Sequence, residues 1–228
     1  MNEAGYAVLE PVDAFAGGVY RREHDLSLPE VRARYMSLAQ SGRLVGIHCG
    51  VTSRTFSQLF RRFSHGTRTR ERPEGADALP GELQANEEAG WICELVAATI
   101  KGGGWATLEN PLSSYFWLLP AVRALRAAAC MDMAKVDMCA YGLGPPAGTS
   151  HPESWKKATG FLVSDPAFLD IGRACPKNHA HVPVKGCIRI GGKMLSRADL
   201  AAAYPSKLCA RCAQAARVAS RRGGSGCP

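Results

Sequence analysis

Short apolar runs alternate with longer amphipathic stretches along most of this chain, which is the pattern of strands and helices around a mostly parallel sheet. Residues 6–9, Tyr-Ala-Val-Leu, read as a short strand ending ahead of Glu10 and Asp13. Residues 28–41, LPEVRARYMSLAQS, read as a helix: Pro29 falls in the first turn, where its missing N–H leaves nothing unpaired, and Gly42 stands past the end. The apolar run at 44–49 is the next strand. Residues 86–101, NEEAGWICELVAATIK, place Trp91, Leu95, Val96 and Thr99 on one face of a helix that stops at Gly102-Gly103-Gly104. A strand over 105–108, a helix over 120–129 and strands over 136–140 and 159–163 follow, the last two joined by the loop YGLGPPAGTSHPESWKKA. Residues 64–81, rich in Arg, Pro and Gly, read as a long surface loop. Residues 220–228, SRRGGSGCP, read as a disordered tail, and no internal repeat is present.

With 228 residues, 46% of them hydrophobic, the chain is long enough for one sizeable core, so a single α/β domain over residues 1–219 is expected. No apolar run approaches a membrane span, and the N-terminus lacks the basic-then-apolar order of a secretory leader. A soluble, intracellular protein is expected, with the nucleus as one option, rather than a secreted one. Nine cysteines, an odd number scattered along the chain, fit a reduced compartment better than a disulfide framework. The net charge of +8 points to an anionic partner, most often nucleic acid.

Ligands of open α/β sheets bind beyond the carboxyl ends of the strands, so chemistry is sought there. Three strand ends carry, in order, GVTSRTFS at 50–57, LENP at 108–111 and a Tyr141-Gly142 turn that precedes Trp155-Lys156-Lys157 and a further strand. This order resembles that of the cytosine C5 DNA methyltransferases. In that family a strand runs into G-x-P-C-x-x-F-S, a later strand ends in Glu-Asn, and a third ends in Tyr-Gly before a basic pair. The chain is most similar to a divergent branch, found in protist genomes and associated with mobile elements, in which Glu-Asn-Pro replaces Glu-Asn-Val. Gly5-Tyr6-Ala7-Val8, Asp13 and Asp25-Leu26 match that branch's early positions, and the resemblance runs over residues 4–210.

The resemblance implies a Rossmann-like class I methyltransferase fold, S-adenosyl-L-methionine as methyl donor and DNA as substrate. It places Glu109 at cytosine N3 as the carboxylic acid that polarises the ring, with Asn110 bracing the turn. It puts Asp25 near the adenine of the cofactor and Glu10 or Asp13 near its ribose hydroxyls.

Two departures count against an active enzyme. Aligning Phe56-Ser57 with the family's Phe-Ser puts Thr52 and Ser53 where proline and the nucleophilic cysteine belong. A thiolate adds readily to the cytosine ring, whereas a serine hydroxyl needs an adjacent base. Cys49 lies inside the strand and is expected to be a small core residue. The glycine-rich cofactor turn of the family is also missing: Asp13 to Gly18 is too close to the strand at 44–49 to serve, so that unit would precede residue 1. The expectation is therefore a degenerate enzyme or a fragment of one.

Two further groups stand out. Arg54, Arg68 and Arg70, with the neighbouring Arg61, Arg62 and Arg72, and the pair Lys156-Lys157 form a candidate phosphate-binding surface, with Trp155 as a stacking platform. The alternative to an enzyme is a basic nucleic-acid-binding module stabilised by zinc, its ligands drawn from Cys175, His179, His181, Cys187, Cys209 and Cys212. The spacing C-x3-H-x-H-x5-C is not a standard one, and Cys209-Ala-Arg-Cys212 falls in an alanine-rich helical stretch, so zinc is not expected and no metal ligand is assigned. The oligomeric state is not legible.

Overall fold

A computed structural model describes residues 7–15, 18–76, 79–146 and 153–222. The helices among them are α1 (Pro29–Gln40), α2 (Gln58–Phe63), α3 (Pro80–Lys101), α4 (Pro120–Ala128), α5 (Arg197–Leu200) and α6 (Ser206–Arg222). The strands are β1 (Gly46–Gly50), β2 (Trp105–Pro111), β3 (Asp132–Asp137), β4 (Ser154–Lys156), β5 (Ala158–Val163), β6 (His181–Pro183), β7 (Cys187–Ile190) and β8 (Lys193–Ser196). The protein is α/β, with a mixed four-stranded sheet in the order β1-β2-β5-β3. β1 runs parallel to β2, while β5 is antiparallel to both β2 and β3. The pairs β4-β6 and β7-β8 form two small separate sheets.

Side chains alternate across a strand, and this divides the sheet into two unlike faces. Ala106, Leu108 and Leu162 point to one face, where they pack with Ile92, Val96, Phe116, Val122 and Leu125 of the α3–α4 side. Phe161, Val163 and Trp105 point to the other, where Phe168, Ile171 and the apolar stripe Leu208, Ala215 and Ala219 of α6 cover them. Each fully buried side chain of this size contributes about 1.5–3 kcal/mol relative to exposure.

α1, α3 and α4 lie where the sequence places them, although α3 begins at Pro80, ahead of the predicted start at residue 86. Ala85 and Ala89 are buried on its inner face, so packing carries the helix through Gly81 and Gly90 despite their low helix propensity. Beyond its end the chain reverses at Gly103, whose φ of +86° is open to glycine at no steric cost.

Other expectations fail for identifiable reasons. Ala7 to Leu9 form no strand, with Val8 78% and Leu9 56% exposed and no partner strand beside them; Tyr6 lies outside the described residues. The strand expected at 136–140 runs instead over β3, and Met138–Tyr141 is a 3-10 turn. β3 is an edge strand whose polar Asp132 and Lys135 disguised it as a non-strand. The described part of the segment after α2 is a loop with an exposed outer side, as expected, but it wraps Arg68, which is buried. The tail is helical to Arg222, where the expectation was disorder from Ser220; residues 223–228 lie outside the described residues, as do Ala16 and Gly17 of the glycine-rich turn.

Candidate functional site

Because β5 runs antiparallel, its amino end meets the carboxyl ends of β2 and β3: Pro111 pairs with Thr159 and Asp137 with Ala158. In β1, Gly50 stands opposite Glu109. One edge of the sheet therefore gathers the β1 exit with Val51 to Ser53, the Glu109-Asn110 end of β2, Lys156-Lys157 ahead of β5, and Cys139 just past β3. Three of the motifs read from the sequence thus share an edge.

Glu109 points to the α6 side, half-buried, and forms a hydrogen bond with Tyr204. Burial raises its carboxyl above the ordinary range, against the opposing pull of Lys157 and the Tyr204 hydrogen bond. Lys157 is lowered by the same cause, burial, with Glu109 opposing, and its ammonium donates to Ala201 O at 2.9 Å. The Tyr204 phenol is raised, first by burial and then by the charge of Glu109. His48 continues the chain: Nε2 lies 3.2 Å from Tyr204 Oη and Nδ1 2.8 Å from Thr107 Oγ1. The rings of Phe161 and Tyr204 beside it, at 6.0 and 5.8 Å between centroids, exclude water on that side and lower the imidazole pKa. His48 nevertheless sits on an edge strand and is exposed, so this desolvation carries little weight in stability.

This row of groups, Thr107, His48, Tyr204 and Glu109, can be polarised in either direction. With Glu109 ionised, the tyrosine hydroxyl donates to the carboxylate and accepts from His48 Nε2–H. With Glu109 protonated, the acid donates to the phenol oxygen and the sense of the row reverses. A carboxyl held toward its neutral form beside a strand end is what a hydrogen-bond donor to a base edge, or a general acid, requires.

Asn110 points the other way and is fully buried; its Nδ2 donates to Val51 O at 2.8 Å, so it pins the loop that leaves β1. Asn110 Oδ1 and Thr159 Oγ1, both buried at this edge, have no hydrogen-bond partner among the described residues. The two lie on opposite faces of the sheet, since Asn110 pairs with Gly160 and Thr159 with Pro111.

Ser53 is half-buried in that loop, and its hydroxyl makes no hydrogen bond among the described residues. Without a base in reach it is not an activated nucleophile. Cys49 packs against the α3 face, where burial pushes its thiol up to about 12. It remains a core residue, as its position in the strand implied.

The residues assigned to the cofactor are engaged elsewhere. Glu10 pairs with Arg21 at 3.0 Å, Asp13 Oδ1 accepts from Phe15 N at 2.9 Å within its own turn, and Asp25 accepts from Ser27 N and Oγ and from Tyr20 Oη. The Ser27 hydrogen bonds, and after them that of Tyr20, lower the Asp25 carboxyl. These donors satisfy the three carboxylates locally, within the segment ahead of α1.

Of the basic residues, Arg54, Arg70 and Lys156 are exposed. Arg68 is not a phosphate ligand: it is 1% exposed, with Nη1 donating to Pro73 O and Asn86 Oδ1 and Nη2 donating to Glu82 O. Its guanidinium stacks over Phe56 at 4.0 Å, and the carboxylate of the equally buried Glu82 lies 3.9 Å from Nε. Trp155 is no stacking platform either, being 0% exposed with Nε1 donating to Glu153.

The residue that sequence reasoning missed is Cys139. Its Sγ lies 3.2 Å from His181 Nε2, which is 3.3 Å from Cys175 Sγ and 3.2 Å from His179 Nε2; Cys175 Sγ is 3.6 Å from His179 Nε2. All four donor atoms fall within 4.8 Å of one another. Cys187, Cys209 and Cys212, the other thiols considered for a metal, are not in this group. Only the proximity of Cys139 to the Tyr-Gly motif hinted at it. A shallow recess of about 510 Å³ lined by Arg123, Arg126 and Asp132 lies at the amino end of β3, away from both centres.

No helix among the described residues is long and apolar enough to cross a membrane. No family model matches the chain, and neither does any curated protein or solved structure compared with it.

Proposed function

We propose that the chain is a DNA-binding α/β domain of the cytosine C5 methyltransferase type, Rossmann-like in its sheet, which engages a base through Glu109 but does not itself complete methyl transfer. The observation that carries this reading is the edge where the β1 exit loop, Glu109-Asn110 and Lys156-Lys157 converge, with the Glu109 carboxyl held up by burial. A base turned out of a duplex is read at its Watson–Crick edge, and a Glu109 carboxyl that exchanges its Tyr204 hydrogen bond for the base would, when protonated, supply the donor that cytosine N3 accepts. Asn110 holds the β1 loop at the distance its hydrogen bond to Val51 sets. Exposed Arg54, Arg70 and Lys156 supply phosphate contacts. Ser53 has no hydrogen-bonded base among the described residues, and Glu10, Asp13 and Asp25 are engaged in local hydrogen bonds, so no methylation step is assigned.

The test is binding to duplexes that carry either a paired or an unpaired cytosine, measured over a salt series. Affinity should fall log-linearly with salt, should be higher for the unpaired cytosine, and should lose that preference in Glu109→Gln while bulk binding persists. Lys156→Glu should weaken binding to both duplexes alike. Absence of binding at about 0.1 M salt, or an unchanged cytosine preference in Glu109→Gln, overturns the reading.

A further inference from the structure

We propose that Cys139, Cys175, His179 and His181 are the four ligands of a structural zinc ion that fastens the segment from Cys175 onward to the carboxyl end of β3. Zinc–sulfur bonds of about 2.3 Å and zinc–nitrogen bonds of about 2.0–2.1 Å give a tetrahedron with edges of roughly 3.3–3.8 Å. Four of the six donor–donor separations, 3.2, 3.2, 3.3 and 3.6 Å, are close to edges of that figure, and the other two lie within 4.8 Å.

Protons alone do not explain the convergence. His181 Nε2 has three neighbours at hydrogen-bond distance, Cys139 Sγ, Cys175 Sγ and His179 Nε2, and one nitrogen carries at most one hydrogen. His179 Nδ1 faces Asn178 Oδ1 at 3.0 Å, an acceptor, so its proton belongs on Nδ1 and its Nε2 turns a bare lone pair inward. At most one N–H can lie between these two nitrogens, so neutral groups pair only one of the four contacts through it, whereas a divalent cation engages both nitrogens and both sulfurs at once.

The surroundings are those of a built ligand shell. Lys177 N donates to Cys175 Sγ at 3.3 Å, and Cys175 N donates to Asp137 Oδ2 at 2.8 Å, so the thiolate charge and the loop's direction are both supported by hydrogen bonds. Lys177 takes a φ of +58°, a left-handed conformation that a residue with a Cβ adopts at some cost and that clamped loops retain. Four protein ligands leave no open position, which distinguishes a structural site from a catalytic one.

Three ligands come from residues 175–181 and the fourth from the turn after β3. The ion therefore closes the connection leading into β6, a three-residue strand that, among the described residues, pairs only with the equally short β4. Beyond it lie Tyr204 and α6, which cover the polar face. Metal binding in such a segment is folding free energy, because the unfolded chain holds no formed site.

The first measurement is metal content of the purified chain by mass spectrometry, with one zinc per chain expected and retained in Cys187→Ser, Cys209→Ser and Cys212→Ser. Cobalt(II) exchanged into the site should show the intense visible bands of tetrahedral coordination and a thiolate charge-transfer band. Cys139→His keeps four ligands, so it should retain metal and lose about half of the charge-transfer intensity. His181→Ala should lose the metal. If that variant does not fold, chelation of the wild-type chain serves instead, and should speed proteolysis between residues 175 and 222, with zinc restoring protection. A chain free of zinc, weak octahedral cobalt bands, an undiminished charge-transfer band in Cys139→His, or a protease pattern indifferent to chelation each overturn the proposal.

Discussion

The two faces of the central sheet do different work with the same backbone. The α3–α4 face is mostly dry: Phe56, Val96, Ala106, Leu108, Phe116 and Leu162 are at 0% exposure, and the polar groups buried beside it brace loops, Asn110 at Val51 and the Arg68–Glu82 pair at Phe56. The α6 face carries His48, Thr107, Glu109, Lys157 and Tyr204, with the sulfur–imidazole cluster beside it. Stability concentrated on one face leaves the other free to hold polar groups whose burial is unfavourable. The same contrast explains why the second face needs extra fastening, since its cover is made of short two-stranded sheets and a single long helix.

The largest expected effect lies on the dry face. Phe116→Ala removes a ring in contact with Phe56 and Trp117 and should destabilise by about 3–5 kcal/mol in urea unfolding, whereas Tyr204→Phe on the other face should lower stability by only about 1 kcal/mol. Equal losses would dissolve the distinction between the faces. Next comes Arg68→Met, which leaves the buried Glu82 carboxylate without its cation and should lose roughly 3 kcal/mol. At temperatures where the variant stays folded, its DNA affinity should match the wild type; a specific loss of binding would return Arg68 to the surface the sequence proposed.

A smaller effect sharpens the contrast at position 53. In Thr52→Pro with Ser53→Cys, the new thiol should alkylate about tenfold or more faster than Cys49, whose pKa of about 12 keeps it protonated, while methyl transfer stays undetectable. Mass mapping of the labelled peptides decides it, and modification of Cys49 first would place the loop in the core.

The smallest effect is one of pH. The folded Glu109 carboxyl is raised, so its contribution to stability is fully present below its unfolded value near 4.5 and declines as pH rises through the folded value. Glu109→Gln should remove that decline: the difference in stability between variant and wild type should shift in favour of the variant as pH climbs from acid toward neutrality. Parallel stability curves across the window would mean that Glu109 is not desolvated.

Local signals were enough for much of the framework. Pro29, Pro120 and the triple glycine after Lys101 mark real helix ends because the missing N–H of proline and the free φ of glycine act within a few residues. The strands 105–111 and 158–163 were visible as apolar runs because burial on both faces removes alternation, and 46–50 was visible from its short Val-Gly-Ile run although it lies at the sheet edge. β3 was displaced because an edge strand tolerates polar residues, and α6 was only glimpsed because alanine carries little hydrophobic contrast.

What the amino-acid order determined alone is which residues stand at the strand ends: Ser53, Glu109-Asn110 and Lys156-Lys157 follow directly from where apolar runs stop. Which of those side chains could act was a tertiary decision. Arg54, Arg68 and Arg70 are chemically alike and close in sequence, and only packing against Phe56 and Glu82 took Arg68 out of solvent. Tyr204 and Lys157 reached Glu109 only through the fold. The sulfur–imidazole cluster is the clearest case: Cys139 is 36 residues from Cys175, and no spacing rule joins them. β3 and the turn after it bring them together, because the hydrogen bonds of Asp137 to Arg173 and Cys175 fix that loop beside the strand.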